Sequence, residues 1–168
     1  MKLYKLTEQN YTTYNGSMKW GEGITNKVKP CEKPSMCSSD VIHAYTDLNL
    51  ALLLNPIHAD ITNPIIFESS GKIIVKDWDK CGVFKLTTKK EIDFPDWYKS
   101  DKKNDVIIMF AILCAESVLY LFENKFPEDK RPSEAIKAAK EYLKNKNSAA
   151  ADAADAAARA AARAADAA

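Results

Sequence analysis

The dominant period of the apolar pattern changes near residue 100 of this chain, and that change limits what it can fold into. From residue 1 to about 99, Gly, Pro, Asn and Asp cut the sequence into short runs rich in Val, Ile, Tyr, Phe and Thr, as strands joined by turns require. The runs are KLYKL at 2–6, ITNKV at 24–28, VIHAY at 41–45, IIFES at 65–69, KIIVK at 72–76 and GVFKLT at 82–87. From Asp105 to about Asn124 the residues are instead apolar on nearly every side of a helical period, which predicts a buried helix at the spine of the core. The two patterns in succession predict an α+β fold, with an antiparallel β-sheet in the N-terminal part and long helices in the C-terminal part.

Turn chemistry refines this picture. Ser70-Gly71 predicts one hairpin and Asp79-Lys80-Cys81-Gly82 another, together an antiparallel meander with half-buried faces. Thr46-Asp47 offers an N-cap to a short helix, LNLALLL, which the Asn55-Pro56 pair should stop because a residue before proline is pushed out of the α region. The polar connector FPDWYKSDKKND leads into the apolar helix. After a turn at Phe126-Pro127-Glu128-Asp129, Pro132 suits the first turn of a second helix, on which Ile136, Ala139 and Leu143 form one stripe. The expected organisation is a sheet scaffold with one short helix over 1–99, a helical part packing on it over 100–147, and an Ala-rich helix over 148–168.

That last segment consists of alanine, the best helix former, interrupted by Asp152, Asp155, Arg159, Arg163 and Asp166. At 100° per residue the five charges share an arc of about 80°, which leaves the rest of the circumference to methyl groups. Such a surface lets helix axes approach closely and predicts association between subunits, although isolated helices of this length are marginal in water.

Composition excludes several function classes. Balanced charge, 24 basic against 23 acidic side chains, argues against the broad basic face of a nucleic-acid polymer binder and leaves room for a local basic pocket. Cys31, Cys37, Cys81 and Cys114 contain no CxxC and, with two histidines, no zinc-ligand spacing, so neither metal nor cofactor is expected. The opening MKLYKLTEQN lacks the apolar stretch of a secretory signal, which predicts a cytoplasmic protein with reduced thiols. The run Val106–Ala115 is followed at once by Glu116 and Ser117, short of the roughly twenty residues a bilayer needs, so no membrane role is expected.

Catalytic signatures such as GxGxxG, Walker A, HExxH and GxSxG are absent, and a non-enzymatic protein is expected. His43, inside a strand, and His58, just past Pro56, have no nucleophile nearby in sequence and read as structural. Arginine usage is the sharper signal. Before the alanine-rich segment every basic residue is lysine except Arg131, at a predicted helix start. There a planar guanidinium and free N–H groups suit a phosphate, and a salt bridge to Glu128, Asp129 or Glu134 is the other role open to it. Trp20, Trp78, Trp97, Tyr98, Phe110, Tyr120 and Phe122 are rings that could stack on a base, worth about 1–3 kcal/mol, or fill the core.

Taken in order, WGEGITNKV, CSSDVIHAYTDLNLALLLNPIHADITNPIIFES, GKIIVKDWDKCGVFKLTTKKEI, FAILCAESV and the Asp/Arg-marked alanine tail resemble a family of phage proteins, the Thoeris anti-defence (Tad) nucleotide sponges. The resemblance covers most of the chain. It implies sequestration of a cyclic ADP-ribose isomer without cleavage, with cyclic trinucleotides at a second kind of site, by a homo-dimer or hexamer whose pockets lie between subunits. By that resemblance Arg131 and Phe110 would be ligand contacts, with Lys27, after the WGEG loop, a third. A second resemblance covers the last third: KRPSEAIKAAKEYL followed by alanine repeats is similar to bacterial immunity-like proteins, which implies a partner protein to be bound and silenced.

Overall fold

A computed structural model describes residues 1–36 and 38–146, so the expectations for 148–168 lie outside the described residues. The chain is α+β, as its apolar periods predict, and divides after Pro95 into a sheet unit and a helical unit.

Among the described residues the sheet unit contains nine strands: β1 (Leu3–Thr7), β2 (Thr12–Thr13), β3 (Met18–Lys19), β4 (Thr25–Lys27), β5 (Ile42–Ala44), β6 (Ile65–Ser70), β7 (Ile73–Lys76), β8 (Cys81–Val83) and β9 (Lys85–Ile92). Helix α1 of this unit runs from Leu48 to His58. All six predicted strand runs contain strands, but they do not form one meander. They make a four-stranded sheet in the order β1-β6-β9-β4, a three-stranded sheet β5-β8-β7 and a β2-β3 ribbon, with every pair antiparallel.

Two departures from expectation explain this arrangement. The run GVFKLT does not remain one strand: it is interrupted at Phe84, so that β8 lies in one sheet and β9 in the other. Ser70-Gly71 closes no hairpin, because β6 pairs with β1 and β9 while β7 pairs with β8. The chain instead crosses there between sheets, where a Cβ on Gly71 would sit 2.6 Å from the carbonyl oxygen of Lys85. The expected turn at 79–82 falls slightly early, with Asp77 N–H donating to the Lys80 carbonyl between β7 and β8.

The sheets are joined by backbone as well as side chains. Tyr4 and Tyr45 exchange both N–H···O bonds, at 2.8 and 2.9 Å, which ties β1 to the end of β5. Leu3, Phe67 and Leu86 from one sheet share a core with Ile42, Ala44, Cys81 and Val83 from the other. At β8, a Cβ on Gly82 would fall 2.6 Å from Val41 and 2.8 Å from Val75, so only hydrogen fits.

Asp47 caps α1 as predicted, accepting from Leu50 N–H at 2.8 Å. The helix does not stop at Asn55-Pro56. Pro56 lacks only one donor, and the turn continues because Ala59 N–H donates to the Asn55 carbonyl while the Asn55 amide bonds to Ile61 at both ends. That extra turn carries His58.

The helical unit holds α2 (Asp96–Lys99), α3 (Lys103–Lys125) and α4 (Arg131–Asn145). Pro132 sits in the first turn of α4, and Lys146 ends it in the left-handed conformation at φ 52°. Helices α3 and α4 pack on each other, with Lys140 paired to Glu116 at 2.5 Å and Lys146 to Asp105. The expectation that α3 is a buried spine fails, since Ile112 is its only buried residue. Among the described residues only α4 and the short α2 pack on it, whereas an all-round apolar helix needs cover on every side. Met109, Leu113, Val118, Tyr120 and Leu121 are 45–59% exposed. By length and composition alone α3 is also apolar enough to cross a membrane, a length that the Val106–Ala115 run understates.

Candidate functional site

Where strands of the different sheets approach each other, the sheet unit encloses a cavity of about 360 Å³ lined by Lys5, Tyr14, His43, Tyr45, His58 and Lys80, with Glu8 also in the wall. Lys5 comes from β1, His43 from β5, His58 from the last turn of α1 and Lys80 from the β7–β8 turn. Alternation along β1 should send Lys5 to the same face as Leu3, and it is only 6% exposed.

Burial pushes the Lys5 ammonium down to about 8. Its Nζ donates to the His43 carbonyl at 3.1 Å and lies 5.5 and 5.2 Å from the ring centres of Tyr14 and Trp20. Trp20 is itself buried, its Nε1 donating to Thr13 Oγ1 at 2.8 Å. Among the described residues Lys5 forms no ion pair.

Two tyrosine–histidine pairs flank it. His58 Nε2 lies 3.1 Å from Asp79 Oδ2, so the carboxylate fixes the Nε2–H tautomer and Nδ1 accepts from Tyr45 O–H at 2.9 Å. His43 repeats the arrangement: Nε2 donates to the Met36 carbonyl, and Nδ1 accepts from Tyr14 O–H at 3.0 Å. Burial lowers both imidazoles, and nearby lysines add to it, so each is held neutral. Burial likewise raises Tyr45 to about 12. The other Asp79 oxygen, Oδ1, is buried with no partner among the described residues.

The residues singled out on sequence are distributed elsewhere. Lys27 is exposed on edge strand β4, paired in register with Lys85. Phe110 lines a groove of about 500 Å³ on the helical unit with Lys102, Asp105, Val106, Met109 and Leu143. Arg131 is at the other end of α4, twelve residues from Leu143, or about 18 Å along the helix axis at 1.5 Å per residue. Its Nε donates to Asp129 Oδ1 at 2.8 Å and its Nη2 to Oδ2, and this pulls the Asp129 carboxyl down to about 2. The salt-bridge role open to Arg131 is therefore occupied. Sequence reasoning missed Lys5, Tyr45, His58 and Asp79, which lie far apart in the chain; the one available signal was a lysine at an inward position of a predicted strand.

Residues 97–168 match the family described as "Imm-5 like putative immunity protein", so the stretch that is similar to an immunity-type family includes all but the first residue of the described helices α2 to α4. No curated protein and no solved structure matches the chain.

Proposed function

We propose that the chain is an immunity-type protein that acts by binding: its helical unit seats a partner protein on the apolar face of α3 and silences it. The observation that carries this reading is the coincidence of the family match with the unit whose α3 leaves Met109, Leu113, Val118, Tyr120 and Leu121 about half exposed. Met109, Leu113 and Tyr120 share one arc of α3, with Leu121 beside it, and an uncovered apolar stripe holding Met and Tyr has the composition of an interface core and is uncommon on a surface with no partner. Silencing of a toxin calls for nanomolar affinity, about 12 kcal/mol of binding free energy.

The test is co-expression with a panel of bacterial toxin domains, scored by rescue of growth and by calorimetry on each rescued pair. Leu113→Glu with Leu121→Glu should abolish rescue and leave the far-UV circular-dichroism melt unchanged. A chain that leaves every toxin active, or that protects equally well with both glutamates, refutes the reading.

A second reading is sequestration of a cyclic ADP-ribose isomer, or of a cyclic trinucleotide, by a homo-dimer or hexamer. It is favoured by the groove beside Phe110, which has a lysine, Lys102, at its edge and a volume in the range of small-ligand sites. Filtration of the protein with such a nucleotide, followed by heat release and re-assay, decides it. Intact ligand returned from the protein supports sequestration, altered ligand indicates an enzyme, and no uptake removes the reading.

A further inference from the structure

We propose that the cavity beside Lys5 in the sheet unit is a binding site for a small phosphomonoester, held as its dianion between the ammonium groups of Lys5 and Lys80. Neither Lys5, Lys80 nor the histidine pairs take part in the functions proposed for the helical unit.

No carboxylate reaches the buried ammonium of Lys5 among the described residues, although Glu8 lines the same cavity and Asp79 is paired to His58. A buried cation is costly unless an anion accompanies it, and buried charges are ordinarily paired. Lys5 is buried, makes one hydrogen bond, to a neutral carbonyl, and otherwise faces the rings of Tyr14 and Trp20, with no ion-pair partner among the described residues. A ring face is a weaker partner for an ammonium than an anion, so Lys5 can still donate to an anion in the cavity, and Lys80 adds a second cation to the same wall. Two ammonium groups match a dianion better than a monoanion, which selects a phosphomonoester over a carboxylate.

The histidines sharpen the choice. Both Nε2–H groups are already committed, one to Asp79 and one to Met36, and both Nδ1 atoms already accept from a tyrosine. Neither ring can give a proton to the ligand without breaking its pair, so the lysines provide the charged donors. Glu8, in the same wall, accepts from Thr12 Oγ1 at 3.4 Å and offers its other carboxylate oxygen to a hydroxyl, as on a sugar. A volume of about 360 Å³ lies at the small end of ligand cavities, commonly about 300–1,000 Å³, which suits a sugar phosphate or a nucleoside monophosphate.

The charges also set a pH window. A phosphomonoester is a dianion above about pH 6. Lys5 keeps its proton up to about 8, and the neighbouring His43 and His58 are neutral in between, while Tyr14 and Tyr45 are raised and stay protonated. Affinity should peak between those limits and fall on either side.

The chain has two histidines, both in this cavity, so its imidazole proton NMR resonances report on the site alone. The full chain is titrated at pH 7 with inorganic phosphate, with AMP and with acetate at equal ionic strength. Phosphate and AMP should move both histidine Hε1 signals saturably, AMP at the lower concentration, and acetate should not. Lys80→Ala, at a turn, should weaken AMP binding at least tenfold. Lys5→Met, which keeps the length of the stem and removes the charge, should abolish it with the fold intact. Leu113→Glu on the helical unit should leave it unchanged, which separates this result from any failure of partner binding. Histidine signals unmoved by millimolar AMP, moved equally by acetate, or moved as before in both lysine variants would overturn the assignment.

Discussion

Replacing Lys5 with methionine should make the protein more stable at neutral pH, although it removes a charged group and a hydrogen bond. Lys5 is 6% exposed and is held at about 8 rather than 10.5. At about 1.4 kcal/mol per pH unit, keeping it charged in the folded chain at pH 7 costs about 3 kcal/mol. Against this stand the bond to the His43 carbonyl, worth about 1–2 kcal/mol net for a charged donor, and the cation–π contacts with Tyr14 and Trp20. Methionine preserves the stem contacts and can set its sulfur against the same two rings, which offsets most of the cation–π loss, so the expected gain is about 1 kcal/mol. For a unit of this size each kcal/mol raises Tm by about 4–8 °C. The pH dependence gives a second, independent check. Between about pH 8 and 10.5 the unfolded chain binds the lysine proton and the folded chain does not, so wild-type stability relative to the variant rises with pH across that window. Below 8 the full penalty is present, and above 10.5 it is gone. Urea unfolding of both proteins at pH 7 and pH 10.5 measures the difference directly. A variant less stable than wild type at pH 7, with a gap that does not change by pH 10.5, would refute the claim that Lys5 is a buried, uncompensated cation.

Three further outcomes are expected. Asp47→Ala removes the cap on Leu50 N–H and should cost about 1 kcal/mol in urea unfolding. Gly82→Ala places a methyl within 3 Å of Val41 and Val75 and should destabilise the protein by about 1–3 kcal/mol on the same assay. Mass spectrometry after alkylation at pH 8 should find Cys31 and Cys114 labelled well before Cys81, which is buried and whose thiol burial pushes up to about 11.

Most strands were legible because β-branched runs bounded by Gly, Asn and Pro leave little alternative, and all six runs contain strands, whereas the two-residue strands β2 and β3 are too short to leave such a run. Their pairing was not legible. One apolar run spanning Phe84 contains no mark of the point where it changes sheet, and Ser70-Gly71 has the composition of a hairpin turn although its glycine serves a close backbone approach to Lys85. The end of α1 was misjudged because the rule for residues before proline is local, whereas the Asn55 side chain bonding to Ile61 is not. Helix α3 shows a different limit: periodicity counts apolar side chains and cannot count the neighbours that cover them. The cavity was least legible of all. Tyr45, His58 and Asp79 become one chain of hydrogen bonds only after α1 gains its extra turn and the β7–β8 turn closes.

The backbone exchange between Tyr4 and Tyr45 gives the cavity a mechanical character. Lys5 is next to one end of that clasp, and Tyr45, itself part of the wall, is the other. The two sheets cannot separate without parting the cavity's walls, so its occupant would act as a rivet through both, raising the resistance of the whole sheet unit to unfolding and slowing amide exchange at Tyr4 and Tyr45 together.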